Sequence, residues 1–218
     1  MATADVVRRA KALVFDFDGT LVDSNEVKWR AFDVCFEEFT AHRDEIRAYC
    51  RGNNHTPRAA KFRHVYERIL GRPYTAAVDA ALHQRFAALT TAAIVGAPER
   101  PGAARFLASA GAPGAMALLS STPHATLLEI LAARGWSRTF GVVRGAPVDK
   151  ARWLADFRAA RGLGAADVVF FGDTPEDATA GVAAGCTFVG VGDAVGAAAG
   201  PHVIADFTEF SAAWAPSS

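Results

Sequence analysis

Cysteine is scarce in this sequence. Cys35, Cys50 and Cys186 are the only three in 218 residues, widely spaced and without a C-x-x-C pair, which excludes a disulfide framework and a zinc knuckle. A reducing, cytoplasmic setting is expected. No sustained apolar run follows the basic residues near the start, because Asp16 and Asp18 interrupt the only candidate, so neither a signal peptide nor a membrane span is expected. Net charge is absent too: 23 Lys and Arg face 23 Asp and Glu, which removes any compositional argument for nucleic acid or an anionic membrane as a partner. Lysine is rare, with only Lys11, Lys28, Lys61 and Lys150 in the chain, so a lysine within a functional pattern stands out. Internal repeats and low-complexity tracts are missing as well.

What is present is ample apolar material, 51% hydrophobic and 10% aromatic, enough for one sizeable core and a smaller attachment. Ala12 to Phe17 is a continuous β-prone run of the kind buried on both faces of a parallel sheet. Ala115 to Leu119, Asp167 to Phe171 and Thr187 to Val191 resemble it, and Val142-Val143 suggests a shorter strand. Helical patterns lie between them at Pro101 to Ala110, Pro123 to Arg134, Lys150 to Arg161 and Pro175 to Ala184. This alternation predicts an α/β fold with a doubly wound, Rossmann-like parallel sheet over residues 1–23 and 94–218. Residues 24–93 break the rhythm, being helical in pattern throughout, with Trp29, Phe32, Phe36 and Phe39 at helical spacing and Phe62, Val65, Tyr66 and Ile69 repeating it. They read as a small helical insertion, and Phe62 and Tyr66 as its core.

The chemistry concentrates at strand ends. In Asp16-Phe17-Asp18-Gly19-Thr20, strand alternation puts two carboxylates on one face before a glycine turn. Carboxylates this close repel, so they need a shared proton or a cation, although an acidic strand end capped by a turn is an equal alternative for the segment alone. Asp173 and Asp177 follow another strand, in Gly172-Asp173-Thr174-Pro175-Glu176-Asp177, and hard carboxylate oxygens at such ends suit magnesium. Asp177 also fits a capping box on Thr174, with Pro175 in the first turn. Ser120 closes the second strand, where its hydroxyl and the following amides are suited to a phosphoryl oxygen. Ser121 and Thr122 are neighbouring candidates, with Thr122 the better N-cap before Pro123. Lys150 opens a helix, where lysine is unfavourable to the dipole, and a buried ammonium there would neutralise charge on a nucleophile and a transferring group.

The ordered set D-x-D-G-T, strand-end serine, lysine before a helix and G-D-x-x-x-D resembles the haloacid dehalogenase superfamily of phosphohydrolases. The 24–93 insertion is similar to the helical cap of its phosphoglycolate phosphatase-like and β-phosphoglucomutase-like members. The resemblance implies a phosphatase in which Asp16 is the nucleophile that forms an aspartyl-phosphate, and Asp18 the general acid and base. It further implies magnesium held by Asp16, the Asp18 carbonyl and Asp173, with Asp177 through water, while Ser120 and Lys150 take up the remaining charge. True dehalogenases lack the second aspartate and the metal-site acids, so Asp18 and Asp173 argue against carbon–halogen cleavage.

Substrate contacts are expected from Gly19, Ser121 and the cap turn Arg51 to Arg58, with Arg51, Asn54, His55 and Arg58 and followed by Lys61, which offers groups for hydroxyls and a second anion; a solvated interhelical turn is the alternative. The expected partner is a small phosphorylated metabolite, a sugar phosphate or phosphorylated acid, with no nucleic acid or membrane and a monomer or homodimer. A phosphomutase of the β-phosphoglucomutase type and a non-catalytic ligand-binding protein are the competing readings. Residues 24–93 hold eleven basic and eight acidic residues, so the zero net charge is a cap of +3 against a core of −3.

Overall fold

Helix α1 (Thr3–Arg9) leads into strand β1 (Ala12–Phe15), whose four residues are all buried. The structure, a computed structural model, describes residues 1–53, 56–110 and 113–210. After β1 come four helices, α2 (Asn25–Cys35), α3 (Arg43–Gly52), α4 (Arg58–His64) and α5 (Ala76–Gly96), with one π-helical turn over Val65–Ile69. Strand and helix then alternate through α6 (Ala103–Ser109), β2 (Met116–Pro123), α7 (His124–Ala133), β3 (Val142–Ala146) and α8 (Lys150–Ala160). The series closes with β4 (Val168–Gly172), α9 (Pro175–Ala183), β5 (Thr187–Val191) and β6 (Val203–Ile204). The chain divides into two compact units, Met1–Asp23 with Pro98–Ser218, and Ser24–Ala97.

The first unit is an α/β fold of the doubly wound kind. Its six strands form one sheet in the order β3-β2-β1-β4-β5-β6, parallel throughout. Strand β1 pairs with β2 from Leu13 opposite Met116 and with β4 from Ala12 opposite Val168 to Phe15 opposite Phe171. The chain builds outward from β1 to β3, then restarts with β4 on the other side. That reversal opens a crevice at the carboxyl ends of the strands flanking β1, where ligands of open α/β sheets bind.

Alternation along β1 supplies both faces of the core. Ala12 and Val14 pack with Ala117, Leu119, Val168 and Phe170 against Leu154 and Phe157 of α8 and Ala178 of α9. On the opposite face Phe15 stacks on Phe171 with ring centroids 4.9 Å apart, and Phe106 of α6 meets both edge-on. Truncating one such phenylalanine to alanine costs about 3–5 kcal/mol.

Two boundaries differ from the sequence pattern. Strand β1 stops at Phe15, so Asp16 and Phe17 lie in the segment beyond it, and ladder alternation is not what brings Asp16 and Asp18 together. Strand β2 continues to Pro123, because β3 pairs Ala146 with Pro123 after a register shift past Leu119. Helix α7 accordingly starts at His124, and its N-cap position is Pro123, not Thr122. Helix α1 and the two-residue β6 carry too little pattern to be read from sequence.

The second unit is helical. Phe32 and Phe36 of α2, Ile46 and Cys50 of α3, Phe62 of α4 and Leu82 and Phe86 of α5 form its core, with Tyr66 packed against it. Phe62 is fully buried and meets Phe32, Phe36 and Phe86 edge-on at 5.6–5.9 Å. Helix α5 runs on to Gly96, past Ala93. No helix among the described residues is long and apolar enough to cross a membrane, and all three cysteines are free and buried.

Candidate active site

The site is built at the carboxyl ends of β1, β2 and β4. Just past β1, the Asp16 amide donates to the Phe171 carbonyl at 2.9 Å, tying the residue to the end of β4. The chain then turns at Gly19, whose φ of 82° is a left-handed conformation suited to glycine. Its amide donates to the Val22 carbonyl at 2.7 Å, while Arg100 Nε donates to the Gly19 carbonyl at 2.8 Å. Thr20 Oγ1 reaches Asp173 Oδ1 at 3.4 Å, linking the turn to the segment after β4.

Asp16, Asp18, Asp173 and Asp177 are all buried, none more than 7% exposed. Asp16, Asp173 and Asp177 each offer a carboxylate oxygen within 4.8 Å of the others. Lys150 Nζ donates to Asp16 Oδ1 at 2.9 Å and to Asp177 Oδ1 at 2.6 Å, so the lysine at the start of α8 is turned into the cluster. Asp149 caps that helix by accepting from the Arg152 amide, leaving Lys150 free for this task.

Asp177 pairs with the N-cap residue of α9 and also lies in the acidic cluster. Its amide donates to Thr174 Oγ1 at 3.2 Å, which caps α9, and its Oδ2 accepts from the Thr174 hydroxyl at 2.7 Å. Gly172 makes the approach possible, since a Cβ there would lie 2.5 Å from the Asp177 Cβ.

The electrostatics follow from burial. Removal from water, reinforced by Asp177, Asp173 and Asp18, pushes the Asp16 carboxyl up to about 8 even against the opposing pull of Lys150. Burial alone would lower Lys150, but the attraction of Asp16 and Asp177 outweighs it and holds the ammonium above its usual range. Crowding four buried carboxyl groups favours a proton retained on Asp16, and a cation among them would relieve the same repulsion. Three hard oxygen donors within reach of one another are the set a magnesium ion prefers, so the residues fit that cofactor.

At the end of β2, Ser120 and Thr122 are buried while Ser121 between them is exposed, as strand alternation requires. Ser120 Oγ accepts from the Thr122 amide at 3.0 Å, and Thr122 Oγ1 donates to Asp18 Oδ2 at 2.8 Å. Thr122, expected as a neighbour of Ser120 and as an N-cap, instead faces Asp18, and Arg100, which lies outside any motif, is the residue that sequence reading missed.

Within the helical unit, Arg51 pairs with Asp33 at 3.4 Å and lies over the Trp29 ring at 5.5 Å. Arg58 packs over Phe86 at 4.8 Å. Lys61 is only 3% exposed and donates to the Cys50 carbonyl at 2.8 Å, where burial pulls its ammonium down to about 8. That contact caps the last turn of α3. Asn54 and His55 lie outside the described residues.

The model of the haloacid dehalogenase-like hydrolases matches residues 10–185, and the chain belongs to that family. Among solved structures it is similar to a haloacid dehalogenase-like family hydrolase from Streptococcus pneumoniae (TM-score 0.69, 17% identity, 94% of this chain and 98% of that one). A second is described as a predicted phosphoglycolate phosphatase from Haemophilus somnus (0.68, 18%, 93% and 97%). A third is a β-phosphoglucomutase from Clostridium difficile (0.71, 14%, 92% and 92%). Identities this low speak to the fold. No curated protein matches the chain in sequence.

Proposed function

We propose that the protein is a magnesium-dependent phosphatase acting on a small phosphorylated metabolite, a sugar phosphate or a phosphorylated acid. The observation that carries this reading is Asp16 at the end of the central strand, with one carboxylate oxygen on Lys150 and Asp173 and Asp177 alongside. Asp16 attacks phosphorus and forms an aspartyl-phosphate, dividing one difficult displacement into two easier ones. Asp18 protonates the departing oxygen and then takes a proton from the water that releases phosphate. Ser120, whose oxygen already accepts from the Thr122 amide, directs its hydroxyl hydrogen to a phosphoryl oxygen. Lys150 holds Asp16 in place and offsets charge as transfer proceeds.

Asp16, the Asp18 carbonyl, Asp173 and Asp177 are the groups that would hold magnesium. When bound, the ion supplies charge neutralisation and orientation for the phosphoryl group. For leaving-group selectivity the reading assigns Arg51 and Arg58, with Asn54 and His55 between them in sequence, Gly19 and Ser121 from the core, and Lys61. Lys61, committed to Cys50, would act by fixing the end of α3. Three free cysteines agree with a cytoplasmic location.

A screen of phosphorylated metabolites with magnesium, reading phosphate release, tests the proposal. Release that Asp16→Asn abolishes supports it, and a flat result across the panel favours a binding protein instead. Isomerised phosphate ester without free phosphate would point to a phosphomutase, as the likeness to a β-phosphoglucomutase allows.

A further inference from the structure

We infer that Thr122 is a positioning residue for the acid–base carboxylate of Asp18, an inference that rests on the phosphatase reading above. The Thr122 hydroxyl donates to Asp18 Oδ2 at 2.8 Å, and both residues are buried, so the bond is made where water competes poorly. Asp18 lies beyond the end of β1, just before the Gly19 turn, and the Thr122 hydroxyl, built on the sheet, holds one of its carboxylate oxygens.

Thr122 is itself firmly placed. Its amide is bonded to Ser120 Oγ, and β3 runs so close that a Cβ on Gly145 would lie 2.6 Å from the Thr122 carbonyl oxygen and from His124 Cα. Because alternate residues of a strand share a face, the end of β2 delivers two hydroxyls to one side, Ser120 for phosphate and Thr122 for the acid.

The chemistry gives Thr122 a readout of its own. In the first step the bond from Asp16 oxygen to phosphorus forms, the bond from phosphorus to the ester oxygen breaks, and the Asp18 proton moves to the departing oxygen. An alkoxide needs that proton as it leaves, whereas p-nitrophenolate departs without it. Misplacing Asp18 therefore penalises alkyl esters more than aryl ones.

The test compares kcat/KM for glycerol phosphate and p-nitrophenyl phosphate in the unaltered protein, Thr122→Val and Thr122→Ser, with thermal melts to verify folding. The parameter ends at the first transfer, so the hydrolysis of the aspartyl-phosphate does not enter it. Valine is expected to lower the alkyl-to-aryl ratio by about 10-fold, mainly through kcat, and serine to restore it. Should Thr122→Val not fold, Thr122→Ala makes the same comparison. An equal loss on both esters, or a serine variant no better than valine, overturns the inference while leaving the phosphatase reading intact. No hydrolysis of either ester by the unaltered protein overturns both.

Discussion

Lys150 places its ammonium nitrogen 2.9 Å from Asp16 Oδ1, joining the start of α8 to the end of the central strand. The same nitrogen lies 2.6 Å from Asp177 Oδ1, so a single side chain ties three elements of the core together. Removing the lysine leaves the buried Asp16 and Asp177 carboxyl groups without that partner, and loss of one member of a buried pair costs about 3–5 kcal/mol. Lys150→Met is expected to lower the melting temperature at neutral pH and to reduce phosphate release by roughly 100-fold or more. Lys150→Arg will not rescue it, because a planar fork cannot reproduce a point charge shared by two carboxylates. Melting curves and initial rates of the two variants test this.

The raised Asp16 carboxyl makes a prediction with a definite sign. Between the usual value of 3.8 and about 8, the folded protein keeps a proton that the unfolded chain releases. Stability of the metal-free protein therefore falls as pH rises through that window on account of Asp16. Asp16→Asn removes the titration. In chelator, the melting temperature of Asp16→Asn minus that of the unaltered protein should widen steadily from pH 4 to pH 8. A constant difference would contradict the shift.

Gly172 tests the close approach of Asp177. A methyl group there would lie 2.5 Å from the Asp177 Cβ, so Gly172→Ala must push α9 or the carboxylate away. The expected result is at least about a 10-fold loss of magnesium affinity, of the size seen when groups supporting a metal site are removed. Titration followed by melting temperature measures it.

The four motifs were readable because three sit at strand ends and the fourth, Lys150, at a helix start, and each combines residue types that hydrophobic patterning alone does not call for. Lys150 shows the limit of that reading: its helix position was visible, but not that it would bridge Asp16 and Asp177. Thr122 was misread because a threonine before Pro123 also satisfies the rules for an N-cap. Which role it takes depends on how far β3 pairs with β2, a long-range property that local sequence does not encode. Lys61 was expected to follow a cap turn and face substrate, yet it lies within α4, where its ammonium donates to the Cys50 carbonyl and sits over the Phe32 ring, a placement that local sequence does not encode.

Asp173 should govern the response to metal. A ligand that binds only the folded state stabilises it by about 2.7 kcal/mol at one hundred times its dissociation constant. For a chain of this size that is roughly a 5–10 °C rise in melting temperature. The unaltered protein is expected to show such a rise with magnesium, and Asp173→Asn to lose most of it. Equal shifts in both would remove Asp173 from the metal site.

The most direct measurement is the fate of the phosphoryl group. The protein is mixed with magnesium and p-nitrophenyl phosphate, quenched in acid within the first turnover, and digested for mass spectrometry. One added phosphoryl group on the peptide that carries Asp16, absent from Asp16→Asn, is the predicted result. Phosphate release without any label on that peptide, or release undiminished in Asp16→Asn, would contradict nucleophilic attack by Asp16.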